Sequence, residues 1–139
     1  MFNPAANLHA IWRVLANDPE ILRLLELENA PPAEVRKRIT QRMDWYDIPQ
    51  GHRRLNIFYV PSRRARVDIM SQEMVEINCH TPIDASHDAW EVLGRAVKLL
   101  NGRLFNGIHK LHFEGQLGEL PTTSGYFCAG ARFSWFGVK

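Results

Sequence analysis

The apolar residues of this chain change their spacing near residue 55, and that change constrains the fold more than any other feature. Upstream, Leu8, Ile11, Trp12 and Leu15 recur at the 3.6-residue spacing of a helix. Downstream, 73-EMVEINCH-80 sets Val75, Ile77 and Cys79 on one face and Glu76, Asn78 and His80 on the other, the alternation of a half-buried strand. A single helical interlude breaks the alternating region. Between Ser86 and Leu104 the residues Ala89, Trp90, Leu93, Ala96, Val97, Leu100 and Leu104 recur at helical spacing, with Glu91, Arg95 and Lys98 off the stripe and Asn101-Gly102 as a C-terminal cap.

The remaining elements follow from local signals. Residues 7–28 read as helical with a break at 18-DPE-20, where Asp18 as N-cap and Pro19 at the first helical position restart the helix. Pro31-Pro32 stops it, a helical turn follows over 33–40, and 41–54 reads as a long connection. Strands are expected at 55-LNIFYV-60, closed by Pro61 and a basic loop 62–66, at 73–80, at 109-HKLHFEGQL-117 and at 126-YFCAGARFSWF-136. In the last, Phe127, Ala129, Ala131, Phe133 and Trp135 oppose Tyr126, Cys128, Arg132 and Ser134. The expected architecture is α+β: a four-stranded sheet packed against the 86–104 helix, with an N-terminal helical segment. With 139 residues and 45% apolar content the chain suits a single domain, 1–139, helical over 1–40 and with its sheet-and-helix core at 55–136. The net charge of +2 points to no partner. No apolar run approaches the roughly 20 residues of a membrane span, and the N-terminus lacks a signal-peptide layout, so synthesis in the cytoplasm without a membrane is expected. Cys79 and Cys128 are expected to be free thiols.

The densest chemistry lies in 79-CHTPIDASHDAW-90. If 73–80 is a strand, Cys79 and His80 point to opposite sides of the sheet and cannot share a metal. Asp84 or Ser86 then serves as helix N-cap, and Asp88 complements the helix dipole. His109 and His112 split across a strand in the same way. Nucleophile-elbow and phosphate-loop patterns are absent, and 122-TTSG-125 reads as a hairpin turn. The reading is therefore of no catalytic residue, no metal ligand set and no cofactor. Three basic segments, 36-RKR-38, 52-HRR-54 and 62-SRRAR-66, hold eight of the 17 Lys and Arg residues. They read as solvated surface, or else as an electrostatic contact with a nucleic acid or an acidic protein. In 133-FSWF-136, Phe136 faces away from Phe133 and Trp135, leaving aromatic surface suited to an interface.

Taken in order, 18-DPEILRLL-25, 75-VEINCHTP-82, 89-AWEVLGRAVKLL-100 and 132-RFSWF-136 resemble the tail terminator, or tail-completion, proteins of long-tailed bacteriophages over nearly the whole chain. The resemblance implies a non-enzymatic virion protein of the tail or neck, made in the host cytoplasm. Such a protein forms a homo-hexameric ring that caps the tail tube, ends tube polymerisation and joins the tail to the head connector. Its partners would be its own copies, the tail tube protein and the connector, with DNA passing through the lumen. On this reading Arg63, Arg64 and Arg66 project into the lumen or onto the tube, and Trp135 or Phe136 helps at a subunit boundary. Phage head-closure proteins share the size and habits. A small nucleic-acid-binding module, motivated by the arginines, and an enzyme, motivated by the His/Cys/Asp cluster, are the alternatives from other classes.

Overall fold

The structure, a computed structural model, describes residues 3–44, 48–64, 70–108 and 110–138, with the backbone alone at 63, 64, 70 and 138. Helix α1 (Pro4–Ala16) starts with the Asn3 side chain accepting from the Ala6 N–H at 3.1 Å. Helix α2 (Pro19–Leu24) starts as expected, Asp18 Oδ2 accepting from the Ile21 N–H at 3.1 Å. It ends where Glu26 turns left-handed (φ 58°) and the Leu27 N–H returns to Leu22 O at 2.7 Å. Helix α3 (Pro32–Arg38) leads straight into β1 (Ile39–Thr40).

The sheet is α+β in context but has five strands, not four, in the order β1-β2-β3-β5-β4. Its other members are β2 (Arg54–Arg64), β3 (Met70–Pro82), β4 (His112–Glu119) and β5 (Tyr126–Val138). Strand β1 escapes sequence reading because two residues cannot show a period; it lies parallel to β2 through Ile39↔Leu55 and Thr40↔Asn56. All other neighbours are antiparallel. Strand β2 is also longer than expected. It does not close at Pro61 but runs through it, so Ser62 to Arg64 are strand and not loop. The register shifts between Val60 and Arg63, which places the proline, lacking an N–H, at a bulge where no ladder bond is owed.

A 3-10 turn (Ile83–Ala85) delivers the chain into α4 (Ser86–Leu100). Neither Asp84 nor Ser86 caps this helix by its side chain; the turn's own backbone does the work, the Ser86 N–H bonding Ile83 O. The face laid on the sheet is Ala89, Val92, Leu93, Ala96 and Leu100. Trp90 and Leu104, placed on the apolar stripe by spacing alone, are instead 40% and 69% exposed, Leu104 because the helix has already ended at Leu100. The alternation of β4 is broken twice, between Phe113 and Gly115 and between Gln116 and Gly118, where Gly118 (φ 74°) supplies a backbone that other residues resist.

The core lies between the sheet and α1, α2 and α4. It joins Ile11, Leu15, Ile21 and Leu25 to Leu55, Ile57, Val75, Ile77 and Cys79, and to Ala129, Ala131, Phe133 and Trp135. The division of faces expected of β3 and β5 is therefore present, Phe127 being only partly buried, but β3 is not half-buried: Glu76 and His80 on its other face are covered as well. On the opposite face Gly130 is pinned: a Cβ there would sit 2.6 Å from Asn78 Oδ1 and 2.8 Å from Leu120 Cδ1. Gly130→Ala is expected to lower stability by about 2 kcal/mol, read as an earlier urea midpoint at unchanged slope.

Candidate assembly surface

Strand register brings together residues that sequence reading had singled out separately. Antiparallel pairing aligns Arg63 with Gln72 and Gln72 with Phe136, and the next row aligns Arg64, Ser71 and Gly137. Arg63, Arg64, Trp135 and Phe136 thus share one end of the sheet, far from the 3-10 turn. Arg66 lies outside the described residues. Within this group the aromatic pair divides. Phe136 is 51% exposed on the face away from the helices, whereas Trp135 is 1% exposed, its ring 6.0 Å from that of Tyr59. Trp135 therefore lies beneath this end of the sheet and presents almost none of its ring to solvent. Tyr59 in turn donates its hydroxyl to Pro4 O at 2.8 Å, tying this end of the sheet to the start of α1.

Beside Phe136 the outer face is polar and internally bonded. Gln72 Nε2 donates to Glu114 Oε1 at 3.2 Å and to Ser134 Oγ at 3.3 Å, and one row further in Arg132 Nε donates to Glu76 Oε1 at 3.0 Å. These contacts hold the strand ends in place while leaving the Phe136 ring uncovered. Beyond Ser134, β5 has also outrun β4, whose first partner row is His112↔Ser134.

In the other two basic segments Arg36 and Lys37 are exposed, as solvated surface would be, whereas Arg38, Arg53 and Arg54 are turned inward. Arg38 donates to Leu25 O at 2.9 Å and Arg53 O at 2.6 Å. Arg53 donates to Leu24 O at 2.7 Å and to Asp88 at 2.6 Å, with Glu26 2.8 Å from its Nε, and Arg54 pairs with Asp44 at 3.0 Å. Arg38 and Arg53 thus cap carbonyls at the end of α2, and Arg53 also fastens it to α4, so with Arg54 held by Asp44 all three guanidinium groups are taken up within the subunit. Spacing gave no hint of this, because the bonded carbonyls lie 13 to 29 positions away in the chain.

The 79–90 cluster is dispersed in the same way. Cys79 is sealed in the core, His87 extends outward to Glu91 at 3.0 Å, and Asp88 holds Arg53. His80 lies under the opposite face at 1% exposure, Nδ1 2.7 Å from Thr122 Oγ1 and Nε2 3.1 Å from Asn56 Nδ2 and 3.7 Å from Cys128 Sγ. Burial pushes the Cys128 thiol up to about 12 and, together with Arg54, pushes His80 down to about 4. The pair is thus a neutral thiol beside a neutral imidazole, the opposite of an activated nucleophile. Among the described residues no three His, Cys, Asp or Glu side chains are placed to hold a metal, and no helix is long and apolar enough to cross a membrane. His109, the other candidate, lies outside the described residues.

No protein-family model matches the sequence, and no curated protein matches it.

Proposed function

We propose that the protein is a structural subunit that closes with its own copies into a ring, of the kind that caps a phage tail tube, ends tube polymerisation and joins the tail to the head connector. What carries this reading is the pair of open rims on the sheet. Strand β4 is an edge along its whole length. Strand β2 is covered by β1 only at Leu55 and Asn56, so from Ile57 to Arg64 its outer rim has no strand partner among the described residues. Three antiparallel steps separate the two strands, so β4 runs opposite to β2. If one subunit follows another without inversion, β4 of the first meets β2 of the next antiparallel, a head-to-tail joint that closes into a ring when the rotation allows. The uncovered Phe136 ring, in the notch where β5 outruns β4, lies beside that joint.

On this reading the β2 end bearing Arg63 and Arg64 faces the lumen or the tube, and the protein acts in the virion neck after synthesis in the host cytoplasm. The internal use of Arg38, Arg53 and Arg54 removes much of the support for a nucleic-acid module. Light scattering across the size-exclusion peak, with negative-stain images, tests the ring directly. A closed species near the mass of a hexamer is expected at high concentration or on added tail tube, and Phe136→Asp is expected to shift it to subunits while leaving Tm within about 2 °C, as befits a surface residue. A chain that stays monomeric both alone and with tube ends would remove the reading.

A further inference from the structure

A concavity lies away from both rims, between α2 and α4. It has a volume of about 790 Å³, a floor of Leu24, Trp90 and Gly94, and walls that include Glu91 and Lys98. Gly94 is its odd member. Glycine is the poorest helix former after proline, yet this one sits in the middle of α4, with no left-handed φ, and a Cβ added there would meet nothing within 4 Å. Nothing among the described residues calls for it. The same face leaves Trp90 40% exposed, held edgewise against Phe127 at 5.9 Å between centroids.

We infer that this groove receives a second copy of the same α4, antiparallel, with Gly94 on the two-fold axis. On such an axis each residue before Gly94 faces the residue equally far beyond it in the other copy. Trp90 then faces Lys98 of the second copy, and Glu91 lies one position from the same ammonium group; both contacts occur twice. The charges are thus self-complementary in this arrangement and in no parallel one, which would set Glu91 on Glu91 and Lys98 on Lys98. Lys98 has no ion pair within the described part of its own subunit, whereas Glu91 has only the outlying His87. Absence of a side chain at position 94 lets the helix axes approach more closely than the usual 8–10 Å, bringing the Trp90 ring within cation–π reach of Lys98. The pairing is independent of the ring reading, since α4 covers the face of the sheet and the rims lie at its edges. In a ring it would join two rings, and without a ring it gives a dimer.

Oxidative cross-linking tests it in the full chain. A residue on a two-fold axis meets itself, so Gly94→Cys is expected to form a disulfide-linked dimer within minutes under mild oxidant. His87→Cys is equally exposed but about 21 Å from its counterpart at ~1.5 Å rise per residue, and is expected to stay uncrosslinked. The native thiols are buried and give no background. By sedimentation, Gly94→Leu is expected to weaken pairing at least tenfold without lowering Tm, and Glu91→Lys or Lys98→Glu alone about fivefold at low salt, with the double exchange restoring the wild-type Kd. Equal cross-linking of the two cysteine variants, a Gly94→Leu chain that pairs as the wild type does, or a wild-type chain that does not pair together with a Gly94→Cys chain that does not cross-link would each overturn the inference.

Discussion

Asp18→Ala is expected to lower the unfolding free energy by about 3 kcal/mol, measured by urea titration at neutral pH. The carboxylate does two separable things. Its Oδ2 accepts from the Ile21 N–H, satisfying the first turn of α2, and both oxygens accept from Arg95, Nε at 3.0 Å and Nη2 at 2.8 Å. Loss of a cap costs about 1 kcal/mol, and a two-pronged charged hydrogen bond, buried on the aspartate side, contributes roughly 2 more. Asp18→Asn separates them, because asparagine caps as well as aspartate but brings no charge to Arg95; it is expected to recover about a third of the loss. The Arg95 hydrogen bond also holds the Asp18 carboxyl below its ordinary value. That part of the stability is present above the unfolded value near 3.8 and is lost only as pH falls below it.

His80 makes the larger claim on pH, in a different window. Asn56 directs its amide N–H groups at Asp44 O (2.8 Å) and at His80 Nε2, which fixes Nε2 as an acceptor and leaves Nδ1–H to donate to Thr122. Protonating Nε2 sets donor against donor beside the Arg54 guanidinium, which the Asp44 carboxylate offsets only in part. The folded value of about 4 lies below the ordinary 6.5, so the unfolded chain binds a proton that the folded chain refuses between those limits. Stability is therefore full above pH 6.5 and falls by roughly 3 kcal/mol on the way to pH 4. His80→Gln, which keeps a neutral polar group without a titrating ring, is expected to flatten that limb while leaving the Asp18 limb below pH 3.8 in place. An unchanged slope between pH 6.5 and 4 in this variant would assign the acid sensitivity elsewhere.

What was legible in the sequence were elements that carry their own period. The stripe of α4 through Ala89, Leu93, Ala96 and Leu100, the division of faces in β3 and β5 and the Asp18-Pro19 restart are all local statements, and each is where the spacing put it, Trp90 and Leu104 excepted. What was not legible depended on partners distant in the chain. Strand β1 exists because Leu55 and Asn56 offer it an edge, and β2 continues past Pro61 because Gln72 and Ser71 receive Arg63 and Arg64 across a bulge. Arg38 and Arg53 misled for the same reason: a cluster of charge looks alike whether it faces water or the carbonyls of Leu24 and Leu25. For the candidate surface the sequence named the residues, and register alone placed Arg63 and Phe136 in one row; it did not reveal that Trp135 lies beneath the surface and not on it. Gly94 was visible all along as a glycine within a helical stripe, but only the empty space around it makes it informative.

The two cysteines have one more consequence. They sit one row apart on neighbouring strands, Cys79 opposite Ala129 and Cys128 opposite His80, and their side chains leave the sheet in opposite directions. Two such thiols cannot be bridged without tearing the ladder between them, and burial holds each well above its ordinary pKa, so neither offers the thiolate that attacks oxidants and disulfides. Its fold is consequently built to hold without a cystine, and moving it from a reducing medium to an oxidising one adds no cross-link between these two strands.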